Sequence, residues 1–188
     1  MHKNFTLVEL IVVIAIIAIL AAIITPNAFR AIEKAKISQM ISDMRTIKQA
    51  FLALYADVGN FPRAEGSGYG YSDDGRSEPR IDETDLVQPV LYTSAQGWDG
   101  PYIEKVPQHP WGGVYRYDND GDCYPQDNPY AGANVFWWMN ETDVSNQKMQ
   151  SITEKADMII DGGDGARNGA FRYVPYDGVF YLIWPGPC

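Results

Sequence analysis

"FTLVELIVVIAIIAILAAIITP", Phe5 to Pro26, is an apolar run that carries a single charge, the carboxylate of Glu9, near its start. Leu10 to Ile24 are fifteen residues without a charge, and counting from Phe5 gives twenty interrupted only by Glu9. At a helical rise of about 1.5 Å per residue, such a run matches the roughly 30 Å hydrocarbon core of a bilayer. A carboxylate left unpaired there costs on the order of 3 kcal/mol even on lenient insertion scales, so Glu9 needs a partner or a task.

Beyond the apolar run the pattern changes without a break. Ile37, Met40, Ile41, Met44, Ile47, Phe51, Leu54, Tyr55 and Val58 recur at three- and four-residue steps, with Lys36, Asp43, Arg45 and Lys48 between them. That is an amphipathic helix. Only Pro26 interrupts, removing one backbone donor and loosening or kinking the helix locally. Gly59 supplies a left-handed cap and Pro62 forbids continuation, so one helix is predicted from 5 to about 57.

After Pro62 the composition turns to Gly, Pro, Tyr, Trp and Asp. "AEGSGYGYSDDGRSEPR" (64–80) reads as a long exposed loop. Strand-like runs follow: "GVYRYD" (113–118), "NVFWWM" (134–139), "AFRYVPY" (170–176) and "GVFYLIW" (178–184), the last two joined as a hairpin through Asp177-Gly178. The expected fold class is α+β: a long N-terminal helix whose second half packs on a small antiparallel sheet with long loops. Trp98, Trp111, Trp137, Trp138 and Trp184 belong to its core or to subunit contacts.

Charge divides along the same line. Residues 1–58 hold 6 Lys/Arg against 4 Asp/Glu and residues 59–188 hold 9 against 20, giving +2 and −11 for a total of −9. So acidic a domain cannot neutralise phosphates, which argues against a nucleic-acid partner. An enzyme is not expected either. His2 and His109 are the only histidines, neither is near a nucleophile motif, no Gly-rich phosphate loop follows a strand, and the cysteines lack zinc spacing.

Three readings compete for the apolar head: a cleaved secretory signal, a simple membrane anchor, and a helix that lies in the membrane and later packs against copies of itself. No A-x-A site closes the run, which weighs against the first. The second leaves Glu9 unexplained. The residues Phe5 to Pro26 resemble the N-terminus of type IV pilins and of the pseudopilins of type II secretion, with an aromatic first residue, Glu at the fifth mature position and Pro at the twenty-second. This resemblance implies a leader, residues 1–4, cut off between Asn4 and Phe5 by a prepilin peptidase, with methylation of the new Phe5 amine. Asn4 stands where that family has Gly. It further implies that Glu9 pairs with the terminal ammonium of an adjacent subunit during assembly. The domain plan becomes leader 1–4, membrane and filament-core helix 5–26, amphipathic helix 27–58 and globular β domain 59–188.

The resemblance extends further. "FLALYADVGNFP" (51–62) and "GPYIEKVPQHPWGGVYRY" (100–117) are similar to segments of the major pseudopilin, with His109 where Asp is usual. "ADMIIDGGDGARNG" (156–169) resembles that family's calcium-binding loop, which makes Asp161, Asp164 and Asn168 candidate Ca²⁺ ligands; an acidic surface turn without metal is the alternative. "DNDGDCYPQD" (118–127) fails as an EF-hand, because Gly121 and Pro129 fall at the wrong loop positions. Cys123 and Cys188 resemble the C-terminal disulfide pair of type IV pilins; in an oxidising compartment such a loop is worth roughly 4 kcal/mol.

Together these features imply a structural subunit of a type IV pilin-like filament, either the pseudopilus of a type II secretion system or a surface pilus serving adhesion, motility or DNA uptake. The implied partners are copies of itself, the prepilin peptidase, an inner-membrane assembly platform and minor pilins or pseudopilins. The chain would sit in the inner membrane before assembly and then in a periplasmic pseudopilus or an extracellular filament.

Overall fold

A computed structural model describes residues 6–61, 86, 97–119, 132–176 and 178–184. The chain forms two compact units, Met1–Ser38 and Gln39–Cys188. Helix α1, Leu7–Val58, contributes to both and runs through Pro26. It starts two residues later and ends one residue later than the sequence pattern suggests.

From Leu7 to Ile32 α1 is exposed on every side. Ile11, Ile14, Ile17, Leu20, Ile24, Phe29 and Ile32 are all at least half exposed. Among the described residues, α1 is the one helix long and apolar enough to cross a membrane. Near Pro26, which has no N–H to give, the Thr25 hydroxyl donates to the Ala21 carbonyl at 2.6 Å.

In the second unit the same helix turns amphipathic. Met40, Ile41, Met44, Ile47, Ala50, Phe51 and Leu54 are buried. The helix stops at Gly59, whose φ of +83° is open to glycine and strained for other residues, and whose N–H closes on the Tyr55 carbonyl at 2.8 Å. Pro62, the other expected stop, lies outside the described residues.

The sheet has four antiparallel strands, β1 (Arg116–Asp118), β2 (Ala133–Trp138), β3 (Phe171–Tyr173) and β4 (Gly178–Trp184), in the order β1-β2-β4-β3. Register pairs Val135 with Tyr181, Trp137 with Val179 and Phe171 with Tyr181, which places these side chains on one face together with Tyr117. That face meets α1, where Phe51 stacks on Tyr117 with ring centroids 4.3 Å apart. The opposite face is also buried, as the stacked pair Phe136 and Phe180 shows. Burial on both faces explains why "NVFWW" reads as a continuous apolar run instead of an alternating one.

All four expected strands form, but two are shorter than expected. The chain turns at Gly112 and Gly113, both at positive φ, so the first strand begins only at Arg116. The third ends at Tyr173, because Pro175 has no N–H for the ladder and Tyr176 takes φ 65°. His109 is buried in an aromatic cluster with Trp111, Tyr115 and Trp137, and its Nδ1–H donates to the Gly112 carbonyl at 2.8 Å.

One element was not anticipated. Helix α2, Asn146–Ile160, is capped by Ser145, whose hydroxyl accepts from the Lys148 N–H, and it buries Met149, Ile152, Thr153 and Ala156. Its start, "SNQKMQS", is polar, so the apolar positions are too sparse to stand out.

Candidate functional site

Two groups of residues hold the chemistry, one at each end of the argument. The first is the head of α1. Glu9 Oε2 accepts from the Thr6 backbone N–H and from the Thr6 hydroxyl, each at 2.8 Å, while Thr6 Oγ1 accepts from the Glu9 N–H at 3.3 Å. This is a reciprocal capping box: the threonine satisfies a free helix donor and the glutamate reaches back to the residue that begins the helix. The Thr-x-x-Glu spacing of Thr6 and Glu9 was the signal in the sequence, and it went unread. Glu9 therefore has a partner within its own chain. Both bonds fall on Oε2 of an exposed residue. Asn4 and Phe5 lie outside the described residues.

The second group lies where α2 ends. The chain leaves the helix at Asp161 and winds through Gly162, Gly163, Gly165 and Gly169, all at positive φ, before entering β3. Asp157, Asp161 and Asp164 each bring a carboxylate oxygen within 4.8 Å of the others. Asp161 and Asp164 were foreseen; Asp157 was missed, because it sits on the last turn of a helix that the sequence reading did not see. Its spacing of four residues from Asp161 would have placed both on one helical face.

The three carboxylates differ in their surroundings. Asp157 is 3% exposed. Its Oδ2 accepts from the Gly165 N–H at 3.3 Å, and its Oδ1 is buried with no hydrogen-bond partner. Burial raises its pKa, the Gly165 N–H opposes that, and the charges of Asp164 and Asp161 raise it further. Asp161 Oδ2 accepts from the Phe171 N–H at 2.7 Å, tying the loop to the start of β3. The Asn168 side-chain amide donates to the Asp164 carbonyl at 2.8 Å within the same loop. A Cβ at Gly169 would fall 2.5 Å from Asp161 Oδ2 and 2.7 Å from Asp164 Oδ2, so only glycine leaves these oxygens their positions.

The donor set suits a hard cation. A buried carboxylate oxygen without a hydrogen-bond donor, beside two further carboxylates, is stabilised by positive charge, and three oxygen ligands plus loop carbonyls and water approach the six to eight that Ca²⁺ takes. Nearby, Lys48 of α1 donates to the Leu182 carbonyl at 2.9 Å and lies 5.2 Å from the centre of the Tyr181 ring. Burial draws the Lys48 ammonium below its usual range, while the Asp161 carboxylate pushes it back up. The expected disulfide pair, Cys123 and Cys188, lies outside the described residues, as does most of the acidic stretch 118–127.

Comparison with known proteins is consistent with this geometry. The family described as PilW, C-terminal, matches residues 31–134. Type II secretion system core protein G of Aeromonas hydrophila is 31% identical over 120 residues, covering 64% of this chain and 75% of that protein. The protein of the same name from Vibrio cholerae is 31% identical over 121 residues, covering 64% and 73%. The Escherichia coli K12 protein of that name is 30% identical over 145 residues, covering 77% of this chain and 90% of its own. No solved structure matches.

Proposed function

The chain belongs to the family of type II secretion system core protein G, the major pseudopilins, and from that membership we infer that its work is mechanical: it is a structural subunit of a pilin-like filament. The observation that carries this reading is the bare apolar half of α1. Its exposed side chains need a bilayer before assembly and copies of the same helix afterwards. Subunits that meet head to tail without closing give an open helix, the geometry of a filament.

The steps assign roles to single residues. The chain enters the inner membrane with its charged head on the cytoplasmic side, where Lys3 favours it. A prepilin peptidase cuts between Asn4 and Phe5, and the Phe5 amine is methylated. The Thr6 cap holds Glu9 through Oε2 in the waiting subunit; on assembly Oε1 takes the Phe5 ammonium of a neighbour, which fixes the register of one helix against the next. Pro26 allows the helix to loosen locally as it leaves the bilayer. An inner-membrane platform and minor pseudopilins complete the assembly, and the acidic domain faces outward into the periplasm.

Calcium is the cation that fits Asp157, Asp161 and Asp164, with the Asn168 side chain shaping the loop. It supplies the positive charge that the buried Asp157 oxygen lacks, and it locks the end of α2 to the start of β3 through Asp161. Cys123 and Cys188 form a disulfide once the domain reaches the periplasm.

Electron microscopy of the sheared surface fraction of native cells, with mass spectrometry of the filament protein, tests the reading. Retention of the chain in the envelope with no long surface filament supports a periplasmic pseudopilus. Abundant long filaments built of this chain would make it a surface pilin instead.

A further inference from the structure

We propose that the Asn168–Gly169 bond is a self-modification site: in the calcium-free chain the Asn168 side chain closes on the Gly169 nitrogen and is converted to an aspartate, which brings a fourth carboxylate to the loop of Asp157, Asp161 and Asp164. The dependence on calcium rests on the reading of those three residues as a calcium site; the conversion itself does not.

Asn168 is the one asparagine in the chain that precedes a glycine. Both residues are exposed, in the stretch between α2 and β3. A five-membered ring forms when the backbone nitrogen after an asparagine reaches the side-chain carbonyl carbon, and a glycine there puts no side chain in the way. The hydrogen bonds favour this position over its neighbours. The N–H of Gly165, which follows Asp164, is held by Asp157 Oδ2 at 3.3 Å, whereas the Gly169 N–H donates no hydrogen bond among the described residues. Arg172 Nε donates to the Gly169 carbonyl at 3.0 Å, which fixes the far side of the glycine and leaves its nitrogen side open. The Asn168 amide nitrogen is tied down by one bond, to the Asp164 carbonyl, and at an exposed position water can take that partner's place.

The Gly169 nitrogen bonds to Asn168 Cγ and gives up its proton; the Cγ–Nδ2 bond breaks, and the side-chain nitrogen leaves with that proton as ammonia. Water then opens the cyclic imide at one of its two carbonyls, giving an aspartate or its isomer linked through the side-chain carboxyl. The loop loses the donor that held the Asp164 carbonyl and gains a negative charge beside three carboxylates that already lie within 4.8 Å of one another. Arg167 and Arg172 are the cations of this stretch, and their number is unchanged, so the added charge repels the aspartates when the site is empty and attracts a divalent ion. A bound ion holds the loop closed, and the closed loop keeps the Asn168 amide on the Asp164 carbonyl. Calcium therefore slows the reaction that would strengthen its own binding.

The test keeps the full chain in detergent micelles at mildly alkaline pH, in chelator or in calcium chloride, and follows peptides covering Asn168 and Asn60 by mass spectrometry over days. Asn60, exposed and followed by Phe61, is the internal control. The expected result is a mass gain of acid over amide at Asn168 in chelator, none at Asn60, and conversion at least about tenfold slower in saturating calcium, because an ion that binds only the closed loop depletes the open form by the factor it stabilises the closed one. Asn168→Gln, which would have to close a larger ring, should show no gain at that position. Asn168→Asp should melt lower than the unaltered chain in chelator and bind calcium about two- to tenfold tighter. Conversion at Asn168 no faster than at Asn60 would overturn the proposal and leave the calcium reading intact, and the unaltered chain decides this without any variant. Equal rates in calcium and chelator, in protein whose melt calcium raises, would overturn the protection alone; calcium binding no tighter in Asn168→Asp would overturn the role of the new carboxylate. A melt that calcium leaves unmoved would overturn the calcium reading, and the dependence on calcium with it.

Discussion

Replacing Glu9 with Gln preserves an oxygen for the Thr6 cap but removes the charge that an ammonium would pair with. The variant is expected to insert, to keep its domain folded, and to yield at least about tenfold fewer sheared filaments, since losing one charge-assisted bond per subunit costs roughly 1.5–3 kcal/mol. Normal filament yield would show that the charge has no part in assembly. Asp43 offers a second test at this scale. Burial raises its pKa, and its hydrogen bond from the Tyr115 hydroxyl, at 3.4 Å, pulls it partly back. Because the folded value lies above the unfolded value of about 3.9, the folded state holds the proton longer. Its contribution is therefore complete below that pH and is lost as pH rises through the folded value. Asp43→Asn should flatten the stability profile on the acid side and be at least as stable as the unaltered chain at neutral pH. The gain should stay under about 1 kcal/mol, because water still screens the carboxylate. Urea denaturation across that range measures it, and a less stable Asp43→Asn at neutral pH contradicts the argument.

At the scale of elements, legibility followed the strength of the periodic signal. Helix α1 was readable to within two residues because its apolar run and its three-and-four pattern are long, and β4 was readable because six consecutive apolar or aromatic residues, Val179 to Trp184, follow a turn signal. Helix α2 was not, because only three of its five buried residues, Met149, Ile152 and Ala156, are apolar, the other two being Thr153 and Asp157. That single omission hid Asp157, whereas Asp161 and Asp164 lie in an Asp- and Gly-rich stretch that shows in the sequence. The loop between α2 and β3 gives a sharp test. Gly169→Ala places a Cβ against the carboxylates of Asp161 and Asp164 at a φ of +66°, a conformation that costs a side chain about 1–3 kcal/mol. The variant should lose calcium-dependent stabilisation in a thermal melt. If it retains the same shift as the unaltered chain, the loop does not hold the ion as described.

For the whole molecule, charge and burial divide the labour. The large apolar side chains of α1 from Leu7 to Ile32 are exposed, as membrane anchoring in the envelope asks, while residues 59–188 carry −11. A bound ion adds to the stability of the folded domain by mass action, about 2.7 kcal/mol at a hundredfold excess over its dissociation constant, so chelation should lower the melting temperature reversibly. A melt that chelator leaves unmoved would argue that the aspartates are only a solvated turn. The strand order β1-β2-β4-β3 has a further effect, on timing. Among the described residues the strand latest in sequence, β4, lies in the middle of the sheet, between two that precede it. Until residues 178–184 have been made, β2 and β3 have no common neighbour, and the sheet has no closed core. Completion of the sheet thus waits for residues 178–184, although helix α1 is made first. A chain interrupted before β4 is expected to keep an open sheet and to be cut readily by protease.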